Sequence, residues 1–374
     1  MIDKPLFGAT MLLLLIGLLM SYTLPTYTII QHGFTDTHFF MRQLIAVVIG
    51  ITLIIIISKL DADLWFKPIG LLLFLVSLFI LLTMPLLSES LVKSIGGAKR
   101  WINFGSISIT PVEFYKIGFI SFISWSLVRT RLSKGNMPIK AEIKVFIPYV
   151  IILIVSALLI AVFQKDLGQT VVISFTLLVL FVLVGSSFRF FFMLLGIGLV
   201  GFILLIITQP HRLKRIKEWF LSFDNSANRL ETYQISNSLD AIHHGGFWGQ
   251  GLGNGQYKLG FLSEVHTDFV LAGMMEELGF VSILIVVLTM LFIIFRIFKI
   301  AARVDNPTYY LFCVGAGLLI TLSFLINSFG ISGITPIKGI AVPFISYGGS
   351  QIVASCISIG LILMISKKVI LKRR

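Results

Sequence analysis

The chain has 374 residues, of which 57% are hydrophobic and only 13% charged, with a mean hydropathy of +0.98. A soluble domain carries about a quarter charged residues, so this composition excludes an ordinary soluble fold and fits a chain dissolved in a bilayer. The formal net charge of +13 is spread over short segments between apolar runs, a pattern of membrane orientation and not of a nucleic-acid surface.

Apolar windows of roughly 17–25 residues can cross about 30 Å of hydrocarbon. They fall near 6–24, 40–58, 67–87, 112–128, 145–163, 169–187, 190–208, 268–295, 308–328 and 347–366. The prediction is an all-α polytopic membrane protein: ten transmembrane helices, a single domain over 1–374, and a long outer loop of about 209–267 between helices 7 and 8. An even number of crossings places both termini on one side. Only Lys4 precedes the first window and no small-residue cleavage site follows it, so it is expected to be a retained helix.

Charge sets the orientation. With the N-terminus cytoplasmic, the inner segments hold Lys59 and Lys67; Arg129, Arg131, Lys134, Lys140 and Lys144; Arg189; Arg296, Lys299 and Arg303; and the tail KKVILKRR. That is the asymmetry of the positive-inside rule. Two outer segments break it, Lys93–Arg100 and His211–Arg229. A long loop crosses regardless of its charge, which covers the second; the first asks for another reason. The long loop also holds Trp219, Phe220, Tyr233, Ile235, Phe247 and Trp248, which predict an ordered, partly membrane-lying structure. Cys313 and Cys356 lie inside apolar runs and form neither a disulfide framework nor a zinc motif.

Four stretches carry polar chemistry. Residues 96–116 read GGAKRWINFGSISITPVEFYK. Thr110 has the position of an N-cap, Pro111 suits a first turn, and Glu113 stands where a capping-box acid belongs. Lys116, three residues on, can pair with Glu113 on the same helix face. A structural ion pair and a functional one both fit, since ionisable groups at membrane depth usually mark function. Lys99 and Arg100 beside Trp101 suit a lipid phosphate or pyrophosphate; the plainer alternative is an aromatic anchor with snorkelling cations. In the tight turn QKDLG, 164–168, Asp166 is expected to cap the next helix, with a cavity-lining role for Lys165 and Asp166 as the alternative. Residues 329–350, FGISGITPIKGIAVPFISYGGS, are punctuated by Gly and Pro. Broken backbone of that kind is tolerated at membrane depth where protein or a wet cavity surrounds it. Lys338 then has a use on an anionic ligand, although a plain loop of turn residues also fits.

The fourth stretch, Gly245 to Gly279, begins as a glycine-rich loop and ends as an apolar helix. It lacks the P-loop and Rossmann fingerprints, and the neighbours His243 and His244 diverge on a helix and make no metal pair. Asp268 sits at the start of the helix. An acid there gains about 0.3–1 kcal/mol from the helix dipole; read as chemistry, it is a partly desolvated carboxylate poised to take a proton. On a straight helix Glu276 shares its face about 12 Å further down, too deep to act on the same atom. Glu276 and Glu277 are therefore expected to be buried structural acids in need of cationic partners. Lys258 and His266 are expected to support the site around Asp268.

With GAKRWI at 97–102, TPVEFYK at 110–116, QKDLG at 164–168, GLGN at 251–254 followed by Lys258, TPIKG at 335–339 and PFISYGGS at 343–350, the chain resembles the FtsW/RodA/SpoVE (SEDS) family over nearly its whole length. GLGN, Lys258 and TPIKG stand closer to the division branch than to the elongation branch. Thr110, Val112 and Gln351 depart from the family's usual Gln, Ser and Ser. The resemblance implies a peptidoglycan glycosyltransferase that polymerises lipid II on the outer face of the cytoplasmic membrane, at the division septum. Its partners would be lipid II, a polyprenyl-pyrophosphate-linked glycan, membrane lipids, a class B penicillin-binding protein and other divisome proteins; nucleic acid is not among them. The family's key loop aspartate falls on Asp268 and its loop tryptophan on Trp101.

In that scheme Asp268 deprotonates or orients the acceptor sugar's 4-hydroxyl as it attacks the anomeric carbon. Lys99, Arg100, Lys165 and Lys338 stabilise the departing pyrophosphate, alone or with a divalent ion such as Mg2+ or Mn2+; the metal ligands are left open. Trp101, His266 and Lys258 complete the expected substrate-binding set. The alternatives are a lipid II flippase or transporter, an elongation-type polymerase, and a scaffold that only recruits a transpeptidase. A transporter site is expected near the midplane, whereas the polar residues here crowd the outer side, with Glu276 and Glu277 as the exceptions.

Overall fold

The structure is a computed structural model that describes residues 2–88, 91–92, 98–104, 107–131, 138–223 and 232–371. Lys93, Gly96, Gly97, Lys134, Arg229 and the last three residues of the basic tail lie outside the described residues. In chain order come α1 (Lys4–Thr23), the short α2 (Thr26–His32), α3 (His38–Lys59), α4 (Ala62–Thr83), a hairpin of β1 (Ile102–Phe104) and β2 (Ile107–Ile109), α5 (Pro111–Arg131), α6 (Ile139–Ala157), α7 (Leu167–Leu183), α8 (Phe188–Ile207), α9 (Pro210–Leu221), α10 (Tyr233–Gly245), α11 (Val270–Ala301), α12 (Pro307–Ile331) and α13 (Gly349–Leu371).

Each apolar window lies on one of the long helices. Eight of these are long and apolar enough to cross a membrane. The other two of the expected ten are α7, with 17 residues, and α5, which carries Glu113 and Lys116 near its start. Helices suit this solvent because hydrocarbon offers the backbone no hydrogen bonds, so each segment must satisfy its own.

The interior is built from α12 and α13, which are 67% and 72% buried, while α8 is only 6% buried and lies at the periphery. Small residues allow close helix contact where lipid gives no hydrophobic push. Gly118 of α5 packs on the α4 backbone so tightly that a Cβ would sit 2.3 Å from the Phe74 nitrogen. The last turn of α6 widens into a π-helix, Leu158–Phe163, and the Ala161 carbonyl there accepts from the Arg212 guanidinium of α9. Among the described residues of the segment expected to be the long outer loop, α9 and α10 are helical; Trp219 Nε1 donates to the Gly333 carbonyl at 2.7 Å.

The apolar segment that follows Asp268 is not one unbroken helix. At Gly279 the backbone of α11 leaves helical geometry (φ 71°, ψ −176°). The glycine loop fills the break: Gln250 and Gly251 N–H donate to the carbonyls of Glu276 and Glu277 at 2.9 and 3.0 Å, and Phe280 N–H donates to Gly246 O at 3.0 Å. Only a residue without a Cβ fits here, since one added at Gly279 would lie 2.4 Å from the Gly249 nitrogen. The helix from 280 to 301 is about 33 Å long at 1.5 Å per residue, enough for the hydrocarbon core alone. Glu276 and Glu277 thus lie on the other side of the break from this 22-residue helix.

Candidate active site

Asp268 lies one residue before the cap of α11, in a turn where the N–H groups of Thr267, Asp268 and Phe269 all converge on the Glu264 carbonyl, at 3.1, 3.0 and 3.2 Å. The carboxylate is half-buried. It rests against Gly339 of the TPIKG segment, where a Cβ would come within 2.9 Å of Oδ2. Burial pushes the Asp268 carboxyl up to about 6, helped by Glu264 and Asp166 and opposed by Arg215 and Arg100. A group of that kind is ionised at neutral pH yet holds a proton far better than an ordinary aspartate, which suits a general base.

Cations gather in front of it. Arg100 clasps the QKDLG turn, donating from Nε to the Gln164 carbonyl and from Nη2 to the Lys165 carbonyl, both at 2.9 Å. Its Nη1 stands 3.7 Å from Asp166. Asp166 also caps α7 by accepting from Gln169 N–H at 3.2 Å, so the capping role is present together with a place beside the cations. Lys165 takes a positive φ of 54°, which presents its carbonyl to Arg100. Lys338 is held below its ordinary range by burial and by Arg215 and Arg212. His211, likewise lowered, faces Arg212, Arg215, Lys165 and Arg100. Five cations (Arg100, Lys165, Arg212, Arg215 and Lys338) therefore share one field with Asp166 and Asp268. Such a field favours a polyanion.

Other expected site residues are placed differently. Lys99 lines an open cavity of about 280 Å³ with Leu81, Met84, Pro85, Phe163 and Gln164, next to the Arg100 clasp. Trp101 is half-buried. Glu113 and Lys116 form a buried pair at 2.9 Å. Glu113 reaches across to Gln169 Nε2, also at 2.9 Å, and so ties α5 to α7; Thr110 N–H donates to Ser350 Oγ at 2.9 Å, where the capping box would have placed Glu113. Lys258, expected beside the substrate, is buried, and its Nζ is taken up by Glu277 Oε1 and the Gly253 carbonyl, each at 2.6 Å. Glu276 accepts from Gln256 N–H at 2.6 Å and bonds His244 Nδ1 at 3.2 Å. The two acids thus find their partners within the glycine loop and α10, not among the cations of residues 97–116. His266 is buried edge-on against Phe39, at 5.0 Å between ring centroids, and close to Tyr347; burial holds its pKa low, so it serves as a neutral packing ring behind Asp268.

Among the described residues no group of three or more His, Cys, Asp or Glu side chains is arranged to hold a metal ion. Mg2+ is commonly held by one or two carboxylates together with substrate phosphates, so such a group is not what decides whether an ion takes part, and the steps below are those of the chain's own side chains.

The whole-chain comparisons follow the same lines. Residues 4–370 match the family model FtsW/RodA/SpoVE, described as cell cycle protein. The chain belongs to this family. It is 44% identical to the probable peptidoglycan glycosyltransferase FtsW of Helicobacter pylori, with 98% of each chain covered. It is 32% identical to the stage V sporulation protein E of Bacillus subtilis, covering 98% of this chain and 97% of that one. A chain from a solved peptidoglycan synthase complex, in which polymerisation and crosslinking are coordinated, superposes with a TM-score of 0.74 at 21% identity over 98% of both chains; at that identity the shared property is the fold.

In this FtsW/RodA/SpoVE member two arginines of the cluster escape a motif reading. Arg212 and Arg215 lie three residues apart on α9, hence on one face. The guanidinium of Arg212 also bonds the Leu205 and Ala161 carbonyls, while Arg215 Nη1 donates to the Ile337 carbonyl at 3.4 Å. The signal was present: an amphipathic segment, PHRLKRIKEWFL, is an outer stretch too basic for the positive-inside rule. Its Arg215 acts on Asp268 and Lys338.

Proposed function

We infer that the chain is a peptidoglycan glycosyltransferase that polymerises lipid II, with Asp268 as its general base. The observation that carries this reading is one carboxylate of raised pKa, Asp268, in the field of Arg215 and Arg100, with Lys165, Arg212 and Lys338 beside those arginines. One lipid-linked glycan is the donor. Asp268 takes the proton from the 4-hydroxyl of the acceptor sugar as that oxygen attacks the donor's anomeric carbon. The bond from that carbon to the pyrophosphate oxygen breaks, and polyprenyl pyrophosphate leaves with the electron pair. Arg100, Lys165, Arg215 and Lys338 are placed to stabilise the growing charge on the pyrophosphate, through charge-assisted hydrogen bonds in a partly dry site. Lys99, beside an apolar cavity, suits the junction of a lipid tail with its phosphate.

The setting we propose is septal wall synthesis in the cytoplasmic membrane, alongside a class B penicillin-binding protein. The resemblance of GLGN, Lys258 and TPIKG to the division branch supports it, as does the similarity to FtsW relatives. A flippase would need a site that alternates about the midplane, whereas the acids of α11, Glu276 and Glu277, are taken up by His244, the Gln256 N–H and Lys258. Purified protein in detergent, with no compartments to cross, should convert lipid II into glycan strands. Lipid II left unpolymerised, with and without the transpeptidase, by protein that remains folded would overturn the enzymatic reading. Rescue of septation but not of rod shape in depleted cells would separate the division role from the elongation role.

A further inference from the structure

Asp268 is held through its backbone by groups outside its own helix. Three consecutive carbonyls leading into α11 are gripped by donors from α12 and from the segment just before α13. His266 O accepts from Tyr347 N–H at 2.9 Å. Thr267 O accepts from Ser346 Oγ at 2.7 Å. Asp268 O accepts from Asn327 Nδ2 at 2.7 Å. The same Asn327 nitrogen donates to the Ile340 carbonyl, also at 2.7 Å, and Ile340 follows the glycine against which the carboxylate rests. One amide group thus fixes both the residue that bears the carboxylate and the wall it lies on.

The donors are themselves held. Asn327 and Ser346 are both buried. Ser346 Oγ accepts from Val342 N–H at 2.8 Å. Gln43 of α3, buried as well, donates to the Ser346 carbonyl and accepts from Gly348 N–H, each at 3.3 Å. Buried hydrogen bonds of this kind favour one arrangement, because each lost bond leaves a costly orphan; in Asn327 only the amide nitrogen is engaged, and its Oδ1 has no partner among the described residues.

We propose that Asn327 and Ser346 are positioning residues for the glycosyl-transfer step, setting the place of the Asp268 carboxylate through the carbonyls of residues 267 and 268. The proposal rests on the reading of Asp268 as the base. Neither side chain needs to touch substrate. Catalysis is sensitive to placement at this scale, since a 1 Å error can cost about 10²-fold in rate. Removing a donor from the clamp should therefore lower turnover and leave substrate affinity nearly intact.

The test uses the full chain in detergent with lipid II as substrate, in Asn327→Leu, which keeps the size and removes the amide, and in Ser346→Ala. Ser346→Thr, which keeps the hydroxyl, is the conservative comparison, and Asp268→Ala is the control. The proposal expects kcat to fall about 10- to 100-fold with KM within about threefold, and Ser346→Thr to recover most of the loss. The acid limb of the rate profile should also move to lower pH, because a loosened carboxylate regains water while its charged neighbours Glu264, Asp166, Arg100 and Arg215 stay in place. Wild-type kcat in both donor variants, or a loss that only tracks the folded fraction with the acid limb unmoved, would overturn it. Should Asn327→Leu fail to fold, Ser346→Ala decides alone. Activity in Asp268→Ala would instead remove the base assignment, a separate failure.

Discussion

Gly339→Ala offers a sharp perturbation of the site from outside its charged groups. A Cβ at residue 339 would lie 2.9 Å from Asp268 Oδ2 and 3.7 Å from Cγ, closer than a carbon and an oxygen tolerate. Gly339 also has a φ of +49°, and a side chain in that region costs roughly 1–2 kcal/mol. The group that can yield most cheaply is the carboxylate, at the end of a short side chain, because the wall is tied through Ile340 to Asn327. The fold should thus lose on the order of 1–2 kcal/mol, while the carboxylate shifts by several tenths of an ångström. Displacement on that scale should lower polymerisation by about 10-fold or more. The assay is glycan synthesis from lipid II by purified variant and wild type, beside thermal unfolding in the same detergent. Wild-type kcat in a folded Gly339→Ala protein would refute the account of where the carboxylate works.

Further outcomes follow from the same geometry. The Asp268 carboxyl rises from 3.8 to about 6 in the fold, so polymerisation should increase with pH through about 6 and level above it. A rate profile with its acid limb near 4 would contradict this. The same shift means that the folded chain prefers Asp268 protonated, so ionisation weakens the fold once pH exceeds the unfolded value. Asp268→Asn should therefore melt higher than wild type at pH 7–8, by on the order of 1–2 kcal/mol, and the gain should fade as pH falls through 6 towards 4; equal melting at pH 8 would count against the burial argument. Lys258→Met leaves Glu277 buried without its cation and should cost about 3–5 kcal/mol in unfolding experiments, with turnover per folded molecule kept. Arg100→Lys should not restore what Arg100→Ala loses, since one ammonium cannot reproduce the fork that grips two carbonyls and faces Asp166; full activity in the lysine variant would show that charge alone suffices.

Local features of the sequence carried much of this structure. Hydrophobic length is a local property, and each apolar window falls on a long helix, because a bilayer leaves the backbone few choices. The cap at Asp166 and the pairing of Glu113 with Lys116 were legible for the same reason, since both span only a few residues. Asp268, Arg100, Lys165 and Lys338 were selected one by one for their chemistry, and that they share one field is a property of the fold alone.

What the sequence concealed depends on distant partners. Residues 268–295 looked like one unbroken apolar helix because a single glycine in an apolar run gives no warning of a break; residues 246–251 supply the hydrogen bonds at that break. Lys258 looked like a cation for substrate because nothing local reveals that Glu277, nineteen residues on, takes up its ammonium. Arg212 and Arg215 were visible as charge on the wrong side of the membrane, and their use emerged only when α9 was seen to lie against the π-helical end of α6 and the segment after α12.

The central claim is that the carboxylate of Asp268 carries the proton in glycosyl transfer. Its most direct test is the turnover of lipid II by purified Asp268→Asn, which keeps the side chain's shape and removes its basicity. The account predicts a loss of about 10²–10⁴-fold in rate in a protein that melts no lower than wild type and still binds lipid II. Turnover within a few fold of wild type would contradict it.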